Sequence, residues 1–363
     1  MKTKEQISSS QMAILFFSFI TGSSIVNIPG PLIGYAKNGA WVSLLLSMCA
    51  GMFLLSCILY LYQKFPDLTF IEYSRTLVGN VATMLLAVPF ISFQFHMTSG
   101  IVLDIGLFMT SSMMRQTPLY LFLLSVFVVT ALTVRSGIET MARMVIVPII
   151  GVLFFILLIL ILSFNNYEMD HLFPIMPDGF KPIILGAYFS FGFPYGELVL
   201  MGMLLPYVRK DEQPYVKKGM FLALFVNGFF LIAVTISTIL VFGPLAGERK
   251  YSMFEVARII DLLEVIQRIE SLIGISLIMT GFFKATIMLL ILNLTFVKLF
   301  KLQDERILIF PLALVCYLFA LLQIDKGAAH WIYAVSVIHP IWVVLVFLFP
   351  LLILTMVAVI RKR

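Results

Sequence analysis

Ten long apolar runs dominate this sequence and constrain its fold more than any other feature. An α-helix needs about 20 mostly apolar residues to cross the hydrocarbon core of a bilayer, and most of the runs are close to that length or longer. Numbered as spans 1 to 10, the runs cover residues 11–35, 40–62, 81–109, 118–134, 144–163, 183–206, 219–242, 270–299, 306–323 and 336–360. The pattern predicts an all-α integral membrane protein with about ten transmembrane helices.

The composition agrees with a membrane location for nearly the whole chain. Hydrophobic residues make up 61% of the 363 residues and charged residues 12%, whereas soluble proteins average about 45–50% and about 25%. The hydrophilic segments are short, so we expect a single transmembrane domain over residues 1–363. All three cysteines lie inside apolar runs, which argues against disulfides and metal sites. Without a small-residue cleavage site after it, span 1 is expected to be retained rather than removed as a signal peptide.

Lys and Arg residues orient the predicted helices. With the N-terminus in the cytoplasm, the inside segments carry 16 of the 25 basic residues, the outside loops carry 8, and Lys284 lies within span 8. This excess predicts that both termini are cytoplasmic. It also explains the net charge of +6 without nucleic acid as a partner, since the basic residues are scattered among membrane segments. We expect membrane lipid to surround the helices.

The loop over residues 243–270 is the least regular of the predicted outside loops. It carries four basic and five acidic residues, with apolar residues at helical spacing between them. We therefore expect an extra amphipathic helix over about 254–271, lying on the outer face of the membrane.

Glycine and proline interrupt two spans. Span 1 contains Thr21-Gly22-Ser23-Ser24-Ile25-Val26-Asn27-Ile28-Pro29-Gly30-Pro31, and span 6 contains Phe191-Gly192-Phe193-Pro194-Tyr195-Gly196-Glu197. Such breaks release backbone N–H and C=O groups in mid-membrane, which is tolerated where that backbone is buried in protein or lines a cavity. Spans 1 and 6 are corresponding members of two five-helix halves, repeat 1 over about 11–163 and repeat 2 over about 183–323. The match predicts a transporter-type site near the midplane; ordinary proline kinks are the alternative.

Three ionisable residues lie at membrane depth, where a charge is costly and is treated as functional by default. Glu197 follows the break in span 6, where it would contact a ligand ammonium or latch a gate; alternatively it forms a structural ion pair with Lys284 of span 8. Asp104 lies near the outer end of span 3, and we favour the interpretation that it reaches the membrane interface.

Polar residues near the breaks extend the predicted site. Thr280 precedes Lys284 by four residues and shares its helix face. His96 belongs to a polar patch with Ser99; it either packs with a hydrogen bond or titrates near neutral pH. Freed N–H groups at the break in span 1 could bind a ligand carboxylate. Aromatic residues at the break in span 6 would line the site. The predicted ligand-binding residues are Gly22, Ser23, Ser24, Asn27, His96, Ser99, Phe193, Tyr195, Glu197, Thr280 and Lys284.

Motifs of enzymes and cofactor sites are missing from the sequence. It has no Walker glycine loop, no His-Glu-x-x-His and no Gly-x-Ser-x-Gly. We therefore expect neither an enzyme nor a cofactor, and a membrane-embedded transferase is a remote third hypothesis because the loops offer no paired acid and base residues.

Short motifs throughout the chain resemble those of one family. They are Gly39-Ala40-Trp41-Val42-Ser43, Phe65-Pro66-Asp67-Leu68-Thr69-Phe70-Ile71-Glu72-Tyr73, Gln116-Thr117-Pro118, Gly137-Ile138-Glu139 with Ala142-Arg143, Phe173-Pro174-Ile175-Met176, Phe193-Pro194-Tyr195-Gly196-Glu197 and Gln267-Arg268-Ile269-Glu270-Ser271. Each is weak alone, but their order and spacing together resemble the B subunits of the nutrient germinant receptors of bacterial endospores, within the amino acid/polyamine/organocation transporter superfamily.

The resemblance implies a LeuT-like fold of inverted five-helix repeats, with a germinant pocket among spans 1, 3, 6 and 8. It also implies residence in the spore inner membrane beside an A-type subunit and a C-type lipoprotein subunit, and a small nutrient ligand, chiefly an amino acid. The leading hypothesis is therefore a receptor subunit that triggers germination when it binds a nutrient. The alternative is a secondary amino acid transporter of the same superfamily, because fold alone does not decide whether the ligand crosses the membrane.

Overall fold

The computed structural model describes residues 5–22, 24–260, 269–324 and 333–361. Within them, eight helical segments are long and apolar enough to cross a membrane, and the shorter apolar helices Leu119–Arg135 and Ile309–Ile324 complete the set. Each segment overlaps a predicted span, and the segment Pro29–Lys64 runs from the end of span 1 through span 2. The prediction of an all-α membrane protein with about ten spans is therefore confirmed.

The helices follow the apolar runs closely. Span 1 comprises Ser9–Thr21, Ser24–Asn27 and Pro29–Ala36; span 2 is Ala40–Lys64; span 3 is Asn80–Phe108; span 4 is Leu119–Arg135; span 5 comprises Ile138–Met144 and Ile146–Leu162; span 6 comprises Lys181–Gly192 and Tyr195–Met203; span 7 is Gln213–Phe242; span 8 is Glu270–Phe300; span 9 is Ile309–Ile324; span 10 is Ala334–Ile360. Among the described residues, two further α-helices, Phe70–Val78 and Ser252–Arg258, lie between spans.

Both predicted breaks are present. The first helix of span 1 ends at Thr21, and a later segment begins at Pro29, which has no N–H to give to the preceding turn. In span 6 the helix ends at Gly192, Phe193 is extended with φ −143° and ψ 116°, and a 3₁₀-helix begins at Tyr195. The prediction that spans 1 and 6 are broken helices is therefore confirmed.

Span 8 lies at the centre of the bundle. It packs against spans 1, 3, 4, 5 and 9, while span 2 packs against spans 6 and 7. Side-chain hydrogen bonds tie spans together at depth: the Ser190 hydroxyl donates to Ser47 Oγ at 2.9 Å, and the Asn227 amide donates to Thr21 Oγ1 at 3.1 Å. The two broken spans are thus held in a packed interior rather than facing lipid.

Polar contacts close the end of the bundle where the chain begins. The Ile7 N–H donates to the Tyr207 carbonyl at 2.9 Å, and the Arg209 N–H donates back to the Ile7 carbonyl at 3.0 Å. The Glu5 carboxylate accepts a hydrogen bond from the Ile138 N–H at 2.8 Å and contacts Arg306 at 3.1 Å. Spans 1, 5, 6 and 9 are therefore linked at this end, which the charge pattern predicts to be cytoplasmic.

The loop between spans 7 and 8 folds back onto span 1. Space at Gly34 and Gly247 lets the two backbones meet, because a Cβ on Gly247 would lie 2.7 Å from Gly34 Cα. Beyond this contact the helix Ser252–Arg258 packs with Met253 and Val256 buried. The predicted amphipathic helix over 254–271 falls partly on residues 261–268, which lie outside the described residues, so that prediction and the repeat boundaries stay predictions.

Candidate functional site

A cavity of about 410 Å³ lies where spans 1, 3, 6 and 10 meet the loop after span 7. Ligand pockets of proteins typically measure about 300–1,000 Å³. Its lining consists of Asn27, Pro31, Gly34, Tyr35, His96, Met97, Gly100, Ile101, Asp104, Phe189, Phe193, Gly247, Glu248, Lys250, Val335, Ser336 and His339. The cavity occupies the end of the bundle opposite the polar closure around Glu5. One end of the bundle therefore holds a cavity, and the other is closed by polar contacts.

Three predicted ligand-binding residues line this cavity: Asn27, His96 and Phe193. The other predicted residues within the described chain lie outside its lining, and Ser23 lies outside the described residues. Span 8 supplies no lining residue among those described, although the family resemblance implies a pocket that includes it. The predicted site as a whole stays a prediction.

Charged and amide groups are concentrated at one part of the cavity wall. The Lys250 ammonium lies 3.2 Å from Asp104 Oδ1, and the Asn27 side-chain amide donates to Asp104 Oδ2. The Asp104 side chain is 14% exposed. Asp104 therefore forms an ion pair with the loop at the edge of the cavity, and the expectation that it reaches the membrane interface stays a prediction.

The Lys250 ammonium is stabilised in its charged form. Burial acts to lower the pKa of Lys250, but the Asp104 carboxylate and Tyr251 beside it outweigh that effect and raise the pKa above its ordinary value. Burial and the same carboxylate raise the pKa of Tyr251 to about 12. At neutral pH, Lys250 therefore presents a full positive charge to the cavity.

A buried set of ionisable residues lies behind the cavity. Glu197 Oε2 is 2.8 Å from Lys284 Nζ, and Glu197 Oε1 is 3.0 Å from His339 Nε2. The side chains of Glu197 and Lys284 are both 0% exposed. Because His339 also lines the cavity, one imidazole connects the cavity to the ion pair.

The geometry of the Lys284 ammonium leaves it partly unsatisfied. Its contact with Glu197 lacks hydrogen-bond alignment, and no other hydrogen-bond acceptor for it occurs among the described residues. The Phe193 ring centre is 4.1 Å from Lys284 Nζ, a cation–π contact that partly replaces the lost hydration. Phe193 therefore separates the cavity from a buried cation. Of the two sequence-based interpretations of Glu197, the structure contains the ion pair with Lys284.

Glycines at the break in span 6 bring span 10 close enough for this arrangement. A Cβ on Gly192 would lie 2.7 Å from Pro340 Cγ, and one on Gly196 would collide with Val343. Pro340 directly follows His339 in the chain. The absence of side chains at two positions of span 6 thus allows His339 to reach Glu197.

The predicted hydroxyl residues are engaged by backbone. Ser24 Oγ donates to the Ile20 carbonyl at 2.9 Å, and Thr280 Oγ1 donates to the Ser276 carbonyl at 2.8 Å, each within its own span. Ser99 Oγ donates across to the Cys316 carbonyl at 2.9 Å. Thr280 also lines a second cavity of about 10 Å³, which is about the volume that one water needs.

The remaining predicted residues have packing contacts. Tyr195 is fully buried, and its ring lies against Gly51, where an added Cβ would be 3.0 Å away. The rings of His96 and His339 lie 6.2 Å apart, and Trp342 is 5.3 Å from His96. His96 therefore forms part of an aromatic wall shared by spans 3 and 10.

Sequence reasoning did not select Lys250 or His339 as site residues, and it favoured an interfacial position for Asp104. His339 carried a signal, since an ionisable residue beside a proline inside an apolar run meets the same criterion as Glu197. Lys250 carried none, because it belongs to a loop with several charges and its partner Asp104 is 146 positions away.

The chain is similar in sequence to proteins of spore germination. The family described as spore germination protein matches residues 6–327. Spore germination protein KB of Bacillus subtilis (strain 168) is 26% identical over 374 residues, which cover 99% of this chain and 96% of that protein. Spore germination protein YndE of the same organism is 24% identical over 247 residues, covering 67% of this chain and 66% of that protein.

Solved transporter structures share the fold. A substrate-bound, outward-open Na⁺-coupled sialic acid symporter superposes with a TM-score of 0.68 at 11% identity, covering 94% of this chain and 80% of that one. MhsT in complex with L-phenylalanine gives a TM-score of 0.61 at 12% identity, covering 98% and 100%. These likenesses concern the fold, and they confirm the predicted LeuT-like architecture of inverted five-helix repeats.

Proposed function

We propose that this chain, which belongs to the spore germination protein family, is the nutrient-binding membrane subunit of a germinant receptor. It binds a small nutrient, in particular an amino acid, in the cavity lined by spans 1, 3, 6 and 10. The observation that carries the proposal is that cavity, whose volume of about 410 Å³ and mixed apolar and charged lining suit a small charged nutrient.

Binding would be coupled to the helices through the floor of the cavity. Phe193 and His339 line the cavity and also contact the buried pair, Phe193 through the Lys284 ammonium and His339 through Glu197. A ligand that displaces either ring changes the surroundings of a buried charge. It shifts the protein between two arrangements in proportion to its differential affinity for them.

The receptor would act in the spore inner membrane together with partner subunits. The positive-inside bias supports cytoplasmic termini, with the cavity at the opposite, outer end of the bundle. The ligand would then reach the cavity from outside the inner membrane. An A-type subunit and a C-type lipoprotein subunit would receive the conformational change, as the family resemblance implies.

A secondary amino acid transporter is the second candidate. Its support is the arrangement of two broken spans with a cavity at one end and a polar closure at the other, which is what alternating access requires. The remaining predicted ligand residues, Gly22, Ser24, Thr280 and Lys284 among them, would form a deeper site in either case.

Two assays, one in spores and one on the purified protein, test the proposal. First, spores that lack this gene are scored for germination against a panel of amino acids and sugars. Second, the purified protein in liposomes is tested for uptake of the compounds that lost their response. Lost germination without uptake is expected for a receptor subunit. Accumulation driven by a proton or sodium gradient would favour the transporter, and an unchanged germination response to every compound would overturn the receptor assignment.

A further inference from the structure

We propose that Asp104 and Lys250 form the recognition site for the two charged groups of a zwitterionic ligand. The Asp104 carboxylate would bind the ligand ammonium, and the Lys250 ammonium would bind the ligand carboxylate. This inference rests on the proposed function and deepens it, because it selects α-amino acids with uncharged side chains from among small nutrients.

The two residues come from different parts of the chain and meet at the cavity. Asp104 belongs to span 3, Lys250 to the loop after span 7, and Asn27 to span 1, and all three line the cavity. Their side chains are in contact: Lys250 Nζ lies 3.2 Å from one Asp104 oxygen, and the Asn27 amide donates to the other. A ligand at this point touches three separate elements.

The pair has hydrogen-bonding capacity left for a ligand. An ammonium carries three donors and a carboxylate offers about four acceptor positions, more than the contacts with Asp104, Asn27 and Tyr251 use. Asn27 Oδ1 is buried and lacks a hydrogen-bond partner among the described residues. A ligand ammonium would therefore find acceptors on both Asp104 and Asn27, while a ligand carboxylate finds free donors on Lys250.

The ion pair is not what attaches the loop to span 1. The loop backbone already lies against this span through Gly34 and Gly247, and a Cβ on Gly30 would collide with the Arg249 carbonyl. Because that packing is made by backbone rather than by the side chains of Lys250 and Asp104, opening the pair to admit a ligand leaves the loop in place.

The rest of the wall defines the ligand side chain. Most of the other lining is apolar or aromatic, including Met97, Ile101 and Phe189. Glu248 is exposed at the loop edge of the cavity and would repel an acidic ligand side chain. The favoured ligands are therefore amino acids with aliphatic or aromatic side chains.

Binding measurements on the purified full-length protein test this assignment. The probes are L-valine, L-leucine and L-phenylalanine, each compared with its amide, which lacks the carboxylate, and its N-acetyl derivative, which lacks the ammonium. We expect the wild type to bind at least one of the amino acids at least about tenfold more tightly than either derivative, since a hydrogen bond to a charged group is stronger than one between neutral groups.

Each variant should lose its preference for the amino acid over one of the two derivatives and keep its preference over the other. Lys250→Met should bind the amino acid and its amide equally while still rejecting the N-acetyl derivative. Asp104→Asn should show the reverse. Lys181→Met, at the exposed start of span 6, is the matched control and should retain both preferences.

Two results would overturn the assignment. One is a fall in affinity by the same factor for all three forms of a ligand in both variants, which would indicate a structural ion pair. The other is a wild-type protein that binds none of the nine probes. In that case the germination assay on the deletion strain, read separately, decides whether the receptor function itself survives.

Discussion

Gly22 lies directly against Lys284. A Cβ at Gly22 would stand 2.6 Å from Lys284 Cβ and 3.0 Å from its Cδ. The break in span 1 therefore contacts the aliphatic stem of the same lysine whose ammonium contacts Glu197 beyond the break in span 6. One side chain of span 8 thus connects both broken spans.

Gly22→Leu should displace this lysine and weaken the nutrient response. Overpacking at a buried contact costs about 1–3 kcal/mol, so we expect a lower unfolding temperature and a dose response moved to higher nutrient concentration. Gly151→Ala is the control, because nothing lies within 4 Å of its added Cβ. An unmoved dose response at normal protein level would show that this contact is not coupled to the ligand cavity.

Glu197→Gln should sharply weaken the response while the protein stays in the membrane. It leaves the Lys284 charge buried without its carboxylate, and breaking a buried pair from one side costs about 3–5 kcal/mol. The double variant Glu197→Gln with Lys284→Met removes the stranded charge and should regain much of the stability in detergent unfolding. Equal stability of the single and double variants, or a wild-type dose response, would contradict the role given to the pair.

Gly196→Ala should separate span 10 from span 6. The new methyl group occupies the space of the Val343 side chain, so His339 is expected to move away from Glu197. We predict a weaker response with a stability loss of about 1–3 kcal/mol, measured against Gly151→Ala. Similar behaviour of the two alanine variants would mean that this close approach is unimportant.

Lys250→His should make ligand binding depend on pH. Since the folded-state pKa of Lys250 is raised, its ion pair is fully present below the ordinary value of about 10.4 and is lost only above it. Wild-type binding should therefore be level from about pH 6 to about pH 9, whereas histidine, with a pKa of about 6.5, would lose its charge there. Affinity of the variant should fall as pH rises; level affinity would show that charge at this position is dispensable.

Labelling with a membrane-impermeant maleimide tests the orientation. In a variant without Cys49, Cys57 and Cys316, a single cysteine replaces either Leu245, which is 64% exposed, or the exposed Lys217. Leu245→Cys should react in intact cells, and Lys217→Cys should react after permeabilisation, because the positive-inside rule places them on opposite sides. The reverse pattern would invert the topology.

The membrane spans were predictable because each one is a local property of the sequence. A helix in lipid satisfies its own backbone groups, so twenty apolar residues indicate it without knowledge of its neighbours. The breaks near Gly22 and Phe193 were equally visible, since glycine and proline act on their own turn. Orientation and the exact repeat boundaries stay predictions.

The cavity was predictable only in part, because it depends on contacts between distant positions. Asn27, His96 and Phe193 could be selected from their place beside breaks or in polar patches. The partners that give the cavity its charges could not: Asp104 and Lys250 are separated by 146 positions. Whether a buried acid meets a ligand, a lysine or a histidine is decided by helix packing, which a local pattern does not encode.

The contacts among Glu197, Lys284 and His339 limit which substitutions can be retained during evolution. A substitution that neutralises one of the first two leaves the other as an uncompensated charge at membrane depth, so single changes there are selected against. Related sequences should therefore keep the acid and the base together or lose both, with the residue at the histidine position following the acid. Across the family, the residues at these three positions should therefore co-vary.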